Sequence, residues 1–183
     1  RYAIASLLFL AWMMAKRESF RLRLGPAIRM AVLGTFMAMS SATLYLSFKY
    51  MDAGIASTIL FSYPIITAVL MTAFFHERIT WSTTFSILLA VTGIGLLYRG
   101  GDNATLSTVG VALVLLSSLF YAFYIIGVNQ SHTGLSAIQF TFWVVLFGLI
   151  SLLVLSVIMG EQIQVLSTPK QWACAAQLAL LPT

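Results

Sequence analysis

Between Asp102 and Glu161 the chain carries no Asp, Glu, Lys or Arg. A soluble domain keeps about a quarter of its residues charged, and a stretch this long without any has no face to offer water. Lipid can solvate it. Roughly 20 apolar residues cross a bilayer, so the stretch is too long for one helix and holds two. The polar run 129–134, closed by Gly134, is where they separate, and the spans it leaves are 109–128 and 136–159. The whole chain follows suit, with 60% hydrophobic and 8% charged residues and a mean hydropathy of +0.97. Apolar runs recur along its full length, which a signal peptide does not explain. The expected fold class is an all-α membrane protein, a polytopic bundle of transmembrane helices.

Charges divide the remainder. Residues 2–15 are apolar but short for a span. Residues 30–48 run to Lys49 and Asp52, 53–75 to His76, Glu77 and Arg78, and 79–98 to Arg99 and Asp102. Residues 161–171, with Pro169 and Lys170, read as a loop, and a seventh run covers 172–183. The first and seventh runs are expected to be cut spans of a longer protein.

A net charge of +5 and a pI of 9.7 would suggest a nucleic-acid partner in a soluble protein. Here Lys16, Arg17, Arg21, Arg23 and Arg29 crowd one segment, and no Lys or Arg lies between Arg99 and Lys170. That is a topology signal and no nucleic-acid footprint, because basic loops stay in the cytoplasm. The segment 16–29 is therefore expected inside. Alternation then puts Glu77 and the 129–134 turn inside, with 49–52, 99–102 and 161–170 outside.

The residues exclude familiar catalytic arrangements. No nucleophile elbow, His-Glu-x-x-His, paired-Asp motif or phosphate loop is present. His76 and His132 fall in turns, and Cys174, the single cysteine, has no partner for a disulfide or a metal site. No cofactor or metal is expected. No charged residue sits mid-span, so the chain offers no buried carboxylate for a proton relay.

Hydroxyls, aromatics and one proline remain. Pro64, central in 53–75, cannot donate to the Leu60 carbonyl and crowds it, which predicts a kink. With Ser62, Tyr63 and Thr67 around it, the kink either opens an uncharged binding site near the midplane or is a packing feature whose backbone Ser62 repairs. Ser117, Tyr121 and Tyr124, spaced i, i+4, i+7, share a helix face that either lines a cavity or bonds a neighbouring helix. Ser41 and Tyr45 form a similar pair, blurred by Ser40, Thr43 and Ser47. Gly34 with Ala38, and Gly93 with Gly95, are close-packing signals.

The run Pro64…Glu77-Arg78-Ile79-Thr80…Gly93 resembles the end of the first half of an EamA-type transporter of the drug/metabolite transporter superfamily. In that pattern a mid-helix Pro precedes an acidic–basic pair at the cytoplasmic turn and a Gly late in the next helix. Ser118 and Tyr121-Ala122 resemble the helix that opens the second half. His76, Ser86 and Tyr121 depart from the pattern, where Gly, Gly and Trp are common. The resemblance implies ten helices in two inverted repeats of five, related so as to allow alternating access. Residues 1–100 would be the first repeat without its first helix, and 103–183 the second repeat, truncated. It further implies a multi-pass protein of a bacterial inner membrane, a secondary transporter that moves small metabolites, amino acids or drugs, as an exporter. Proton or ion coupling and a homodimer stay open. Tyr45, Ser62, Pro64, Thr67, Ser117, Tyr121 and Tyr124 are the residues expected to bind substrate, with Glu77 and Arg78 fixing the cytoplasmic turn. The rival reading is a membrane-embedded enzyme, or a non-transport subunit of a membrane complex, whose functional residues lie outside this chain.

The orientation is open to test by thiol labelling with an impermeant reagent in a Cys174→Ala background of the full-length protein. Asp102→Cys is expected to label from outside and Arg23→Cys is not. Labelling at 23 with silence at 102 would invert the topology.

Overall fold

The computed structural model describes residues 2–16, 24–75, 81, 84–85, 88–89, 92, 107–131 and 134–159. His76, Glu77, Arg78, Ser86, Gly93, Gly95, the 99–102 turn, His132, the 161–171 loop, Cys174 and the seventh run all lie outside the described residues.

Among the described residues, six helices have defined bounds: α1 (Tyr2–Lys16), α2 (Leu24–Ser47), α3 (Ala53–Leu60), α4 (Tyr63–Phe75), α5 (Thr108–Gln130) and α6 (Ala137–Met159). Four segments are long and apolar enough to cross a membrane: Leu24–Ser47, Ala53–Phe75, Thr108–Gln130 and Ala137–Ile158. At about 1.5 Å per residue, each exceeds the hydrocarbon thickness of about 30 Å. Trp81, Thr84, Phe85, Leu88, Leu89 and Thr92, in the expected fourth span, are also helical.

Two boundaries differ from the reading of the sequence. The second helix begins at Leu24, well before the expected residue 30. Arg29 had marked the limit, but a long basic side chain near a helix end reaches the interface while its backbone stays helical. Pro26 fits the first turn, where an amide would have no intrahelical partner. The third span, expected as one kinked helix, is two helices, with Phe61 and Ser62 forming a turn between them. Pro64 thus sits in the first turn of α4, where its missing N–H costs least.

Helix starts are set by local side chains. The Asp52 Oδ1 accepts the Gly54 amide at 2.7 Å, capping α3. Before α6, Gly134 adopts φ 65°, and Ser136 and Gln139 form a reciprocal capping box. The Gln139 amide donates to Ser136 Oγ at 3.3 Å and the Ser136 amide to Gln139 Oε1 at 3.4 Å.

The chain packs as two compact units, and each combines segments from both expected repeats. One draws on residues 1–38 and 131–183, the other on 39–130. In the first, α1 packs on α6 around Tyr2, Ala5 and Val145. The Tyr2 hydroxyl donates to the Met37 carbonyl at 3.2 Å. Gly34 lets the α2 backbone reach that of α6: a Cβ there would lie 2.7 Å from the Val144 carbonyl oxygen and 2.8 Å from the Gly148 nitrogen. In the second unit, α3 and α4 both pack on α5, with Met51, Ala56 and Val114 at the core.

Gly34→Ala would normally favour a helix, but here the new methyl meets backbone that cannot swing away. The substitution is expected to lower stability by about 1–3 kcal/mol. Gly25→Ala, where a Cβ meets nothing within 4 Å, is expected to be neutral or slightly stabilising. Thermal unfolding of the full-length protein in detergent compares them. An equal effect at both sites would contradict the close approach.

Candidate functional site

Most span hydroxyls are silenced by their own helix. Thr43, Thr67, Thr72 and Thr141 donate to the carbonyls of Met39, Tyr63, Ala68 and Ala137, each at 2.8 Å. This back-bonding lets a polar residue face lipid without an open donor.

Two adjacent serines on α5 behave differently. Ser117, with no solvent exposure, donates to the Ser40 carbonyl at 2.7 Å and lies 3.0 Å from the Ser40 hydroxyl. Ser118, equally buried, reaches the break in the third span. Its hydroxyl shares one proton between the Val114 carbonyl at 3.0 Å and the Leu60 carbonyl at 3.3 Å, and accepts from Ser62 at 3.4 Å. Leu60 is the carbonyl that Pro64 leaves without its intrahelical donor. The repair comes from the neighbouring helix, with Ser62 one step removed.

Just past the break, α4 and α5 line an open cavity of about 330 Å³. On the α4 side it is lined by Tyr63, Pro64, Thr67, Ala68 and Met71, and on the α5 side by Ile125, Ile126 and Asn129. Tyr63 packs edge-to-face on Tyr121, ring centroids 4.7 Å apart, and Tyr121 meets Tyr124 at 5.7 Å. The three tyrosines form a continuous aromatic wall that begins in the cavity lining.

The expected substrate residues therefore separate. Pro64 and Thr67 line the cavity. Tyr121 and Tyr124 stand behind it through Tyr63. Ser62 belongs to the repair of the break, and Ser117 to the bond with α2. Tyr45 is exposed on α2, edge-to-face with Phe48 at 5.6 Å, and is not among the lining residues. Ser117 and Tyr124 share a helix face but lie about 10 Å apart along the axis, far enough to meet different neighbours. Asn129 is the polar lining residue that the sequence reading assigned to a turn. Extending the i, i+4 stripe from Ser117 and Tyr121 through Ile125 reaches it.

The model of the EamA-like transporter family matches residues 1–99 and 108–183. The chain belongs to that family. It is 31% identical over 115 residues to an uncharacterized transporter of Synechocystis sp., covering 61% of this chain and 34% of that protein. It is also 28% identical over 125 residues to an uncharacterized transporter of Archaeoglobus fulgidus, covering 68% of this chain and 43% of that protein. The chain spans less than half the length of either relative. With the apolar helices, family membership makes this a multi-pass membrane protein of a transporter family.

In this EamA-family chain, Ser117→Ala and Ser118→Ala each remove a bond between helices. Each is expected to lower stability by about 0.6 kcal/mol, the average for such bonds in membranes, and by no more than about 1.7 kcal/mol. Thr141→Val, which removes only an own-helix bond, is the control. Unfolding of the full-length variants in detergent measures the difference, and losses no greater than the control's would contradict the interhelical role.

Proposed function

We propose that the full protein is a secondary transporter that exports a small metabolite by alternating access, and that the cavity between α4 and α5 is part of the substrate path. The observation that carries this is a cavity with polar groups in its lining set directly against a broken, proline-containing helix. Irregular backbone at membrane depth is tolerated only where it is buried in protein or lines a water-filled space, and discontinuous helices are where carriers bind solutes. Membership of a transporter family and relatives named as transporters favour this reading over a membrane enzyme.

The family model's two segments, 1–99 and 108–183, support two repeats in a ten-helix bundle. The export direction rests on the basic residues. They assign the Asn129 end of α5 to the cytoplasm, so the cavity lies in the cytoplasmic half of the spans and is loaded from that side. The resemblance to the family's exporters favours a bacterial inner membrane as the host. Coupling to a proton or ion, and pairing of two copies, would draw on groups elsewhere in the protein.

Paired transport and thermal-stability assays on the full-length protein test the site. Pro64→Ala restores an amide donor for the Leu60 carbonyl. It is expected to keep or raise stability while transport falls, because the break closes up. Tyr121→Phe is expected to fold normally and to transport about tenfold more slowly, as fits the loss of one hydrogen bond of about 1.4 kcal/mol. Full transport in both variants would remove these residues from the path.

A further inference from the structure

Helix α2 belongs to both packing units. The boundary falls between Ala38 and Met39, inside one continuous helix of 24 residues. On the early side Gly34 lies against the α6 backbone, the Thr35 hydroxyl is 3.1 Å from that of Ser151, and Tyr2 of α1 reaches Met37. On the late side Ser40 is bonded to Ser117 of α5, and Leu44 packs on the core of Met51, Ala56 and Val114. Each half of α2 is held by different helices.

Between these two grips the helix's own bonds are contested. An α-helical carbonyl accepts the amide four residues on, and it has two lone pairs. The Met37 carbonyl, due to the Ser41 amide, also takes the Tyr2 hydroxyl at 3.2 Å. The Met39 carbonyl, due to the Thr43 amide, also takes the Thr43 hydroxyl at 2.8 Å. The Ser40 carbonyl, due to the Leu44 amide, takes a share of the same Thr43 proton at 3.0 Å and the Ser117 hydroxyl at 2.7 Å. Three donors converge there on two lone pairs. Hydroxyls that enter the ladder in this way weaken it and let a helix bend. Residues 37–44 hold no proline, so no missing amide fixes the bend and the helix can straighten again.

We propose that residues 37–44 of α2 are a flexure point, a joint softened by hydroxyls where the helix passes from one packing unit to the other. Breaking an amide bond costs several kcal/mol in hydrocarbon when it strands a carbonyl. Here the carbonyls of Met37, Met39 and Ser40 each keep a hydroxyl partner when the amide leaves. A few such residues suffice to absorb the dihedral change of a hinge. The joint deepens the transport reading, since alternating access needs an element that yields, but it stands on the bonds of α2 alone.

Hydrogen–deuterium exchange of the full-length protein in detergent, resolved to single amides, tests the joint. Protection factors at Ser41, Thr43 and Leu44 are expected to be at least about tenfold lower than at Gly34 and Thr35. Thr43→Val keeps the branched shape and removes the hydroxyl. It is expected to raise protection at 43 and 44 about threefold, without moving the thermal unfolding midpoint. Thr141→Val, which removes an own-helix bond in α6, is expected to leave the α2 profile unchanged. Even protection along α2, or no change in Thr43→Val, overturns the proposal. So does a uniform rise across all helices with a higher midpoint, which is general stabilisation. Exchange is blind to transport, so a full-length protein that moves no solute fails the transport reading without altering this result.

Discussion

Everything in the second packing unit turns on one carbonyl. Proline at position 64 removes the amide that would have bonded Leu60, and in hydrocarbon an unpaired carbonyl costs several kcal/mol. The chain answers by ending α3 at Leu60, turning through Phe61 and Ser62, and restarting at Tyr63. The stranded oxygen takes a share of the Ser118 proton from α5. The break is tolerated because α5 lies alongside it, which ties the position of α5 to the position of the break.

That dependence makes α5 the organising helix of the unit. Its neighbouring serines point to different partners, Ser117 to α2 and Ser118 to the third span. One turn further on, Tyr121 meets Tyr63 as an aromatic contact and polar bonding gives way to the cavity. Polar groups close to the break thus serve packing, and beyond it Tyr63, Thr67 and Asn129 line the pocket.

Much of this could be read in the sequence. Charge-free length located the spans at 53–75, 109–128 and 136–159 to within two residues, because lipid imposes a minimum apolar run and punishes interruptions. Pro64 marked the irregular helix, since its missing amide is a covalent fact. What stayed hidden was partnership. A helical wheel shows that Ser117, Tyr121 and Tyr124 share a face, but not that Ser117 meets α2 and Tyr121 meets α4. Ser118 stood out only through the family resemblance, as one more small hydroxyl in a helix full of them. Arg29 disguised the start of α2, because its charge speaks for the side chain's end and not for the backbone. Asn129 was lost to the polar run that it opens, although it completes the last turn of the helix before it.

The central claim is that the cavity beside the broken helix is wet while the outer face of the same helix meets lipid. Thr67 lines the cavity and Val69, 57% exposed, stands on another face of α4. In a cysteine-free full-length background, Thr67→Cys and Val69→Cys should differ sharply toward a small hydrophilic thiol reagent, because thiolate forms and reacts only where water reaches. The account predicts fast modification at 67, slowed by bound solute, and negligible modification at 69. Equal rates at the two positions, or faster reaction at 69, would contradict it.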